Sequence, residues 1–416
     1  MTPSYDIGAR AFVIVASLVS LLACKAAPTP EPVPTTPAVD LAPRIEEPEL
    51  YAIPIAGDGR TFTIALAETE AGVVLFATEP AGIGRYALDL DARTSVGTEV
   101  IAIDRYTNLA AYDRAHDRLW WTTPLDQLRI PQPSRDGDFP LGDLVVTNSS
   151  TVEHSEGLRA TVRTCPTPEI TAGGRVPCDH ELRTLLPAFG GVVLGGHFAE
   201  RVGQTSAQPW IGFVDASGTL LAEHRLPDSG PAWIGALAQS DAGVLAVAWS
   251  GRGEPARASF LLFDGPTLDL LNTAPRTTPA WISSPWSAAV PAPDGGFWVA
   301  LTTFRHELTI VSLASDGSIT AEHAIEGAEL PISSVQSFGL RDGEPWLLIA
   351  RQYAEPSLWA GRIDAASGAV PEHHVIPLPR ELVPERLLAV DDGLLLAGRE
   401  NLERPLAVWI PLGKRK

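Results

Sequence analysis

Cys165 and Cys178 are the pair whose spacing points most directly to a defined chemistry, because only 12 residues lie between them. Together with His180 they could supply three ligands of a structural zinc site, which would also need a fourth ligand and reduced thiols. In an exported chain, two remaining cysteines more naturally form a disulfide. We therefore predict a Cys165–Cys178 disulfide, worth about 3 kcal/mol for a loop of this size, with metal binding as the alternative.

Three Glu-His pairs could supply acid-base or metal-binding groups. They occupy positions 223–224, 322–323 and 372–373, at spacings of 99 and 50 residues. Such regular spacing is typical of equivalent positions in successive structural repeats, which are carried far apart in a ring. We therefore predict solvated residues on outer strands, where charged side chains discourage edge pairing, and no metal site.

Most of the 11 tryptophans fall inside apolar stretches at repeated positions, which favours packing over ligand stacking. Four are exceptions because they are adjacent to one another or lie near the starts of apolar stretches: Trp120, Trp121, Trp281 and Trp286. If any aromatic rings line a ligand-binding face, we expect these four.

Motifs of enzymatic chemistry are missing from the sequence. It contains no Gly-x-Ser-x-Gly, no His-Glu-x-x-His and no glycine-rich phosphate loop. Asp294, Asp316, Asp342 and Asp392 each precede a glycine and are interpreted as turn formers, with weak calcium binding as the alternative. We predict no catalytic residue, no resident metal and no cofactor. The net charge of −19 argues against sequence-independent binding to nucleic acid.

The N-terminus carries the pattern of an export signal. Residues 11–23 form an apolar run of 13 residues, which is too short to span a bilayer. The run ends in Leu21-Leu22-Ala23-Cys24 and resembles the lipobox of bacterial lipoproteins, with Leu22 where that family usually has a smaller residue. The resemblance implies cleavage before Cys24 and lipidation of its thiol, which would anchor the protein stably in a membrane. Lys25, rather than the aspartate that signals inner-membrane retention in enterobacteria, favours the outer membrane of a bacterial cell envelope.

Residues 25–48 contain seven prolines and little apolar surface, so we predict a semi-rigid tether without a fold of its own. The predicted organisation is therefore a lipoprotein signal peptide (1–23), a lipidated cysteine with its tether (24–48), one folded domain (49–412) and a basic tail (413–416).

The folded region repeats with a period near 50 residues. Apolar stretches end in Asp215 and Asp264, which are 49 positions apart, and Pro-Ala-Trp-Ile occurs at 231–234 and 279–282. Each unit reads as four short strands separated by Gly- and Asp-containing turns, which is typical of a β-propeller blade. The predicted units are 60–104, 105–181, 182–230, 231–278, 279–330, 331–381 and 382–412.

The fold class predicted from these repeats is all-β, a single propeller of seven four-stranded blades, with counts of six or eight still open. The second unit contains an insertion within 124–180, and the last has only three strands. Because Ala52-Ile53-Pro54-Ile55 is similar to Val375-Ile376-Pro377-Leu378, we predict that the N-terminal strand completes the last blade and removes an exposed edge.

The Asp-Gly turn, apolar strand and second apolar strand ending in Asp resemble the cadence of exported bacterial propellers of the delta-60 repeat type. The resemblance covers about residues 50–412 and implies an architecture but no activity. We therefore expect a monomeric, membrane-anchored propeller that binds or scaffolds an unknown protein or glycan partner. The alternatives are a glycoside hydrolase or lyase with its site in the central funnel, and a structural envelope component.

Overall fold

The structure is a computed structural model of the chain and describes residues 50–55, 62–80, 82–101, 109–130, 144–156, 159–162, 179–199, 207–226, 232–250, 257–277, 286–302, 308–325, 334–351, 355–364, 366–367, 369–401 and 404–412. The predicted signal peptide, the predicted tether and the basic tail all lie outside these residues.

The described residues form 28 β-strands and no helix, arranged as seven antiparallel four-stranded sheets. Each sheet is one blade, in which the strands follow one another from the inner to the outer edge. Blade 1 contains β2 (Thr63–Thr69), β3 (Gly72–Glu79), β4 (Gly82–Asp89) and β5 (Thr94–Ile101). Blade 2 contains β6 (Leu109–Asp113), β7 (Arg118–Ile130), β8 (Leu144–His154) and β9 (Arg159–Val162). Blade 3 contains β10 (Asp179–Ala188), β11 (Gly191–Ala199), β12 (Gln208–Val214) and β13 (Leu220–Arg225).

The next three blades repeat this order. Blade 4 contains β14 (Ala232–Ser240), β15 (Gly243–Ser250), β16 (Arg257–Asp264) and β17 (Asp269–Thr277). Blade 5 contains β18 (Trp286–Pro291), β19 (Phe297–Thr302), β20 (Leu308–Leu313) and β21 (Ile319–Ile325). Blade 6 contains β22 (Ser334–Arg341), β23 (Glu344–Arg351), β24 (Ser357–Arg362) and β25 (Glu372–Pro377).

Blade 7 joins the two ends of the folded region. It contains β26 (Leu382–Val390), β27 (Gly393–Glu400), β28 (Arg404–Pro411) and, as its outer strand, β1 (Tyr51–Pro54). Tyr51 lies opposite Trp409 and Pro54 opposite Leu406 in an antiparallel register. The innermost strands contact their neighbours all the way round, including β2 with β26, so the ring is closed. The predicted seven blades and N-terminal closing strand are confirmed.

The core is divided among the junctions between blades. Buried apolar side chains of the described residues fall into seven clusters, each joining two neighbouring blades. The second strand of a blade is buried on both faces, as the Val- and Leu-rich β15 illustrates. This explains why these strands read as continuous apolar runs rather than as alternating patterns.

Three aspartates in the turns between third and fourth strands bond to the backbone of their own turn. Asp215 Oδ1 accepts hydrogen bonds from the backbone N–H groups of Ser217 and Thr219, at 2.9 and 2.8 Å. Asp316 and Asp364 make the equivalent bonds to the residues two positions on. Hydrogen bonding, foremost from serine side chains, lowers the pKa of all three carboxyls. Aspartate therefore recurs at these positions because its carboxylate bonds to the backbone of the turn.

The predicted insertion within 124–180 contains regular structure. Its described parts include the end of β7, β8, β9 and the start of β10, while 131–143 and 163–178 lie outside the described residues. At 13 and 11 residues, β7 and β8 are the longest strands among those described. This long hairpin and the positions 163–178 between β9 and β10 together make the second unit longer than the others.

Candidate functional site: the two rims of the ring and the grooves between blades

The antiparallel order of the strands gives the ring two different rims. First-to-second and third-to-fourth strand connections meet at one end, which we call the turn rim. Second-to-third connections and the links between blades meet at the opposite end, the loop rim. Among the described residues the turn rim is nearly complete, whereas much of the loop rim falls in segments outside them, such as 131–143 and 278–285.

A group of polar contacts lies at the loop rim where the ring closes, and we call it the closure cluster (Phe62, Thr63, Glu385, Arg386 and Arg399). The backbone N–H of Thr63 donates to Glu385 Oε2 at 2.8 Å, and Arg399 Nε donates to Glu385 Oε1 at 2.6 Å. Arg386 Nε donates to the carbonyl of Ile64 at 2.9 Å. The Arg399 guanidinium lies 4.0 Å from the centre of the Phe62 ring.

The closure cluster contains an ion pair, Glu385 with Arg399, that is largely shielded from solvent. The side chains of Glu385 and Arg399 are only 11% and 14% exposed. Charge-assisted hydrogen bonds are stronger than neutral ones, and more so where water is excluded. Because Glu385 and Arg399 belong to blade 7 and Thr63 to blade 1, the cluster joins two blades through residues that lie 322 positions apart in the sequence.

Glu385 is placed by a β-bulge, and the same bulge recurs in other blades. The register of the first hairpin shifts near the loop rim in blades 1, 3, 4 and 7, at positions 63–65, 182–184, 234–236 and 384–386. A bulge re-aims the side chain of the extra residue. In blade 3 that residue is Arg183, which pairs with Glu181 at 2.9 Å and lies over the Trp233 ring of blade 4 at 5.0 Å. Charged side chains therefore reach the loop rim from two blades.

The turn rim is strongly acidic. Its described connections carry the carboxylates of Glu70, Asp91, Asp117, Glu156, Asp215, Asp241, Asp294, Asp316, Asp342, Asp364, Asp391 and Asp392. The arginines in the same connections are Arg93 and Arg114. This face will therefore repel anionic surfaces and attract cationic ones.

One carboxylate of the turn rim, Asp117, joins blades 1 and 2. Arg85 Nη2 lies 2.7 Å from Asp117 Oδ1, and Tyr112 Oη donates to the same carboxylate. Burial, reinforced by the hydrogen bond and charge of Asp117, raises the pKa of Tyr112 to about 12. The bonds from Tyr112 and Arg85 hold the pKa of Asp117 below its usual value.

A groove of about 1090 Å³ opens at the turn rim between blades 7 and 1. It lies beside the end of β28, beyond the described pairing of β1 with β28, which runs from Tyr51–Trp409 to Pro54–Leu406. Its walls include Glu68, Asp89, Asp91, Asp342, Asp391 and Asp392. A second groove of about 580 Å³ lies between blades 5 and 6, and a third of about 530 Å³ between blades 4 and 5.

The described part of the chain carries neither a metal-binding cluster nor a membrane-spanning helix. No group of three or more His, Cys, Asp or Glu side chains there is arranged to hold a metal ion. No helix in that part is long and apolar enough to cross a membrane.

Three of the predicted site residues are described, and they lie at three different junctions between blades. Trp120 and Trp121 are both buried, in the clusters joining blade 2 to blade 3 and blade 1 to blade 2 respectively, so neither ring is available to a ligand in this structure. Trp286 is half-buried at the start of β18 and packs against the cluster between blades 5 and 6. Four predicted site residues lie outside the described residues: Cys24, Cys165, Cys178 and Trp281.

The Glu-His pairs lie on the fourth strands of blades 3, 5 and 6, as predicted. Their glutamates have fixed partners, which the expectation of solvated residues missed. Glu223 accepts from the indole N–H of Trp210 at 3.1 Å, and Glu322 pairs with Arg276 of blade 4 at 2.5 Å. Burial lowers the pKa of His374, which stacks on the Trp346 ring. These residues contribute to packing between strands and blades.

Known proteins resemble this chain only distantly. No family model matches the chain, and no curated protein matches it. Among solved structures, a candidate 6-phosphogluconolactonase from Bacteroides uniformis is similar at 14% identity and a TM-score of 0.47, over 82% of this chain and 90% of that one. A protein from Lactobacillus plantarum gives 14% and 0.45, over 82% and 87%. The WD40 domain of SCAP from fission yeast gives 9% and 0.41, over 87% and 98%. At these values the assignment as a seven-bladed propeller rests on the strand pairing of the chain itself.

Proposed function

We propose that the protein is a lipid-anchored module of the bacterial cell envelope, whose propeller binds or scaffolds a protein or glycan partner. The observation that supports it is the end of the ring at which β1 begins and β28 ends. Leu50 precedes β1 and Leu412 follows β28, and both stand at the turn rim, where the Leu412 N–H donates to the Asp392 carbonyl at 3.1 Å. A tether leading from Cys24 to Leu50 would therefore hold the turn rim toward the membrane.

This orientation leaves the loop rim free for a partner. The turn rim carries a dense set of carboxylates, so an anionic membrane surface would repel it and the proline-rich tether would act as a spacer. The described part of the loop rim carries two charged residues placed by bulges, Arg183 and Glu385. We propose the loop rim as the partner-binding face of a monomeric propeller.

Anchoring and orientation are tested separately. Replacing Cys24 by Ala should release the mature protein from the membrane fraction, while Cys165→Ala should leave it there. Membrane association of the Cys24→Ala protein, with unchanged size, would disprove lipid anchoring.

For the partner-binding face, a photo-crosslinking phenylalanine analogue is placed in cells at Phe62 on the loop rim or at Phe189 on the turn rim. These two positions form a matched pair, because the side chains are 39% and 40% exposed. Crosslinked partners should be recovered from position 62 and not from position 189. The reverse pattern would refute the loop rim as the binding face.

A second candidate is the glycoside hydrolase or lyase. The observation that favours it is the presence of a carboxylate with an arginine at the loop rim in two blades, Glu181 with Arg183 and Glu385 with Arg399. Glu181 is half exposed and available to a substrate. Hydrolysis of a glycan panel by the wild type, lost in Glu181→Gln with the fold intact, would favour the enzyme over the binding module.

A further inference from the structure

The groove between blades 5 and 6 combines a half-buried indole ring with fixed polar groups. Its lining includes Trp298 of β19, Glu344 of β23, Arg362 of β24, and Asp294 and Asp364 of two turns. Its volume of about 580 Å³ falls in the range of small-molecule sites, about 300–1,000 Å³. It lies on the outside of the ring, away from the central channel.

Trp298 supplies a flat surface with an available donor. The ring packs on one side against the apolar cluster between blades 5 and 6, and the residue is half-buried. Its indole N–H makes no hydrogen bond to any other described residue. The face of an aromatic ring is electron-rich and attracts the partly positive C–H groups of a sugar ring, while the indole N–H can donate to a hydroxyl.

The polar groups of the groove are held in place. Arg362 Nη1 donates to Glu344 Oε1 at 3.1 Å, and Arg362 Nε lies 3.7 Å from Glu372 Oε2. The Asp294 and Asp364 carboxylates are each fixed by a backbone N–H, at 3.1 and 3.0 Å. Carboxylates accept from several hydroxyls at once and a guanidinium donates to them, so the set suits a polyhydroxylated ligand.

The net charge of the residues that line the groove favours some polyhydroxylated ligands over others. Asp294, Glu344 and Asp364 contribute three negative charges and Arg362 one positive charge, leaving a net charge of −2 among the charged lining residues. An acidic sugar would meet repulsion here, whereas a neutral one would not.

The two other described grooves lack this combination. The groove between blades 4 and 5 is lined by Leu262, Leu271, Asn272 and Asp316 among others, without an aromatic ring. In the groove between blades 7 and 1, Trp409 is buried in the floor. The space between the outer parts of neighbouring blades therefore does not by itself produce the arrangement around Trp298.

From this arrangement we propose that the groove between blades 5 and 6 binds a neutral oligosaccharide, whose pyranose ring stacks on Trp298 while its hydroxyls bond to Glu344, Arg362, Asp294 and Asp364. The proposal adds to the proposed binding function a separate ligand site at the turn-rim end of the ring. It uses neither Cys24 nor the loop rim, so either proposal can fail while the other stands.

Titration calorimetry of the full-length protein in detergent tests the groove. The probes are neutral gluco-, galacto- and N-acetylglucosamine oligosaccharides, with oligogalacturonates of the same length as the acidic comparison. Saturable heat is expected from at least one neutral probe and not from the acidic one. Absence of saturable binding by every neutral probe at millimolar concentration, or tighter binding of the acidic probe, would overturn the proposal.

Variants assign the binding to the groove. Trp298→Ala should weaken binding at least tenfold, and Asp294→Asn, at an exposed position that a folded chain tolerates, should weaken it severalfold. Trp359→Phe is the matched control, since Trp359 packs against the same cluster but stacks on His373 outside the groove. Wild-type affinity in both groove variants, each verified as folded by its cooperative thermal transition, would show that the saccharide binds elsewhere.

Discussion

Glu385 uses its two oxygens on partners in different blades, one on Arg399 of its own blade and one on the Thr63 N–H of blade 1. A buried carboxylate with one partner removed is costly, whereas a fully bonded one tolerates burial. At the scale of single residues, the polar groups that cross junctions therefore add specific bonds between blades to the apolar clusters at those junctions.

Replacing Glu385 by Ala should lower the free energy of unfolding by about 3 kcal/mol, because it leaves Arg399 buried without its carboxylate. Urea denaturation followed by tryptophan fluorescence measures the loss. Glu381→Ala is the control, since Glu381 is an exposed carboxylate at the same rim. Equal stability of the two variants would mean that the closure cluster does not hold the ring.

Tyr112 should titrate near pH 12 in the folded protein, and Asp117→Asn should lower that pKa by removing a negative charge. Because the folded pKa lies above the ordinary value of about 10, stability linked to Tyr112 is complete below pH 10 and is lost as the pH rises toward 12. The absorbance difference at 295 nm between wild type and Tyr112→Phe isolates this titration. A tyrosine that ionises near pH 10 would contradict the geometry around Asp117.

At the scale of elements, the ring should open most easily at β1, because this strand completes the sheet of blade 7 with only four residues. Ile53 is 0% exposed and joins the cluster between blades 7 and 1, while its neighbours on the strand face outward. The alternation lets one side chain anchor the strand.

Ile53→Ala should destabilise the protein by about 2–5 kcal/mol, the usual cost of truncating a buried aliphatic side chain. Thermal unfolding of this variant is compared with that of Ala52→Ser, which changes an exposed residue of the same strand. A wild-type midpoint for Ile53→Ala would show that β1 adds little to the ring.

The blade pattern can be predicted from sequence because its markers have local causes. Asp215, Asp316 and Asp364 recur since each closes a turn within a few residues of itself. The closure cluster cannot be predicted in this way, because Glu385 and Thr63 are 322 positions apart and meet only once the ring has closed. The groove around Trp298 escapes sequence reasoning for the same reason, as its two walls belong to different blades.

At the scale of the whole molecule, the net charge of −19 includes a concentration of carboxylates in the described connections of the turn rim. Most of the charged side chains in the described connections of the turn rim are carboxylates. Three of these carboxylates, Asp342, Asp391 and Asp392, line the groove between blades 7 and 1. Like charges on one surface repel over about 8 Å at physiological ionic strength.

Converting Asp342, Asp391 and Asp392 to Asn should therefore raise the melting temperature in low salt, and the gain should shrink as salt is added. The control removes the same charge from the loop rim, with Glu355, Glu381 and Glu400 changed to Gln. Calorimetric melting at two ionic strengths makes the comparison. A gain of equal size in both triple variants would assign the effect to total charge rather than to the turn rim.

The position of β1 also has a mechanical consequence. Residue 51 and residue 411 lie at the same end of an antiparallel strand pair, so a pull transmitted through the residues before Leu50 loads the hydrogen bonds of β1 one after another rather than together. Peeling of this kind yields at a far lower force than shearing a whole strand. Any load that reaches the ring from its N-terminal side is therefore felt first by the four residues that close it.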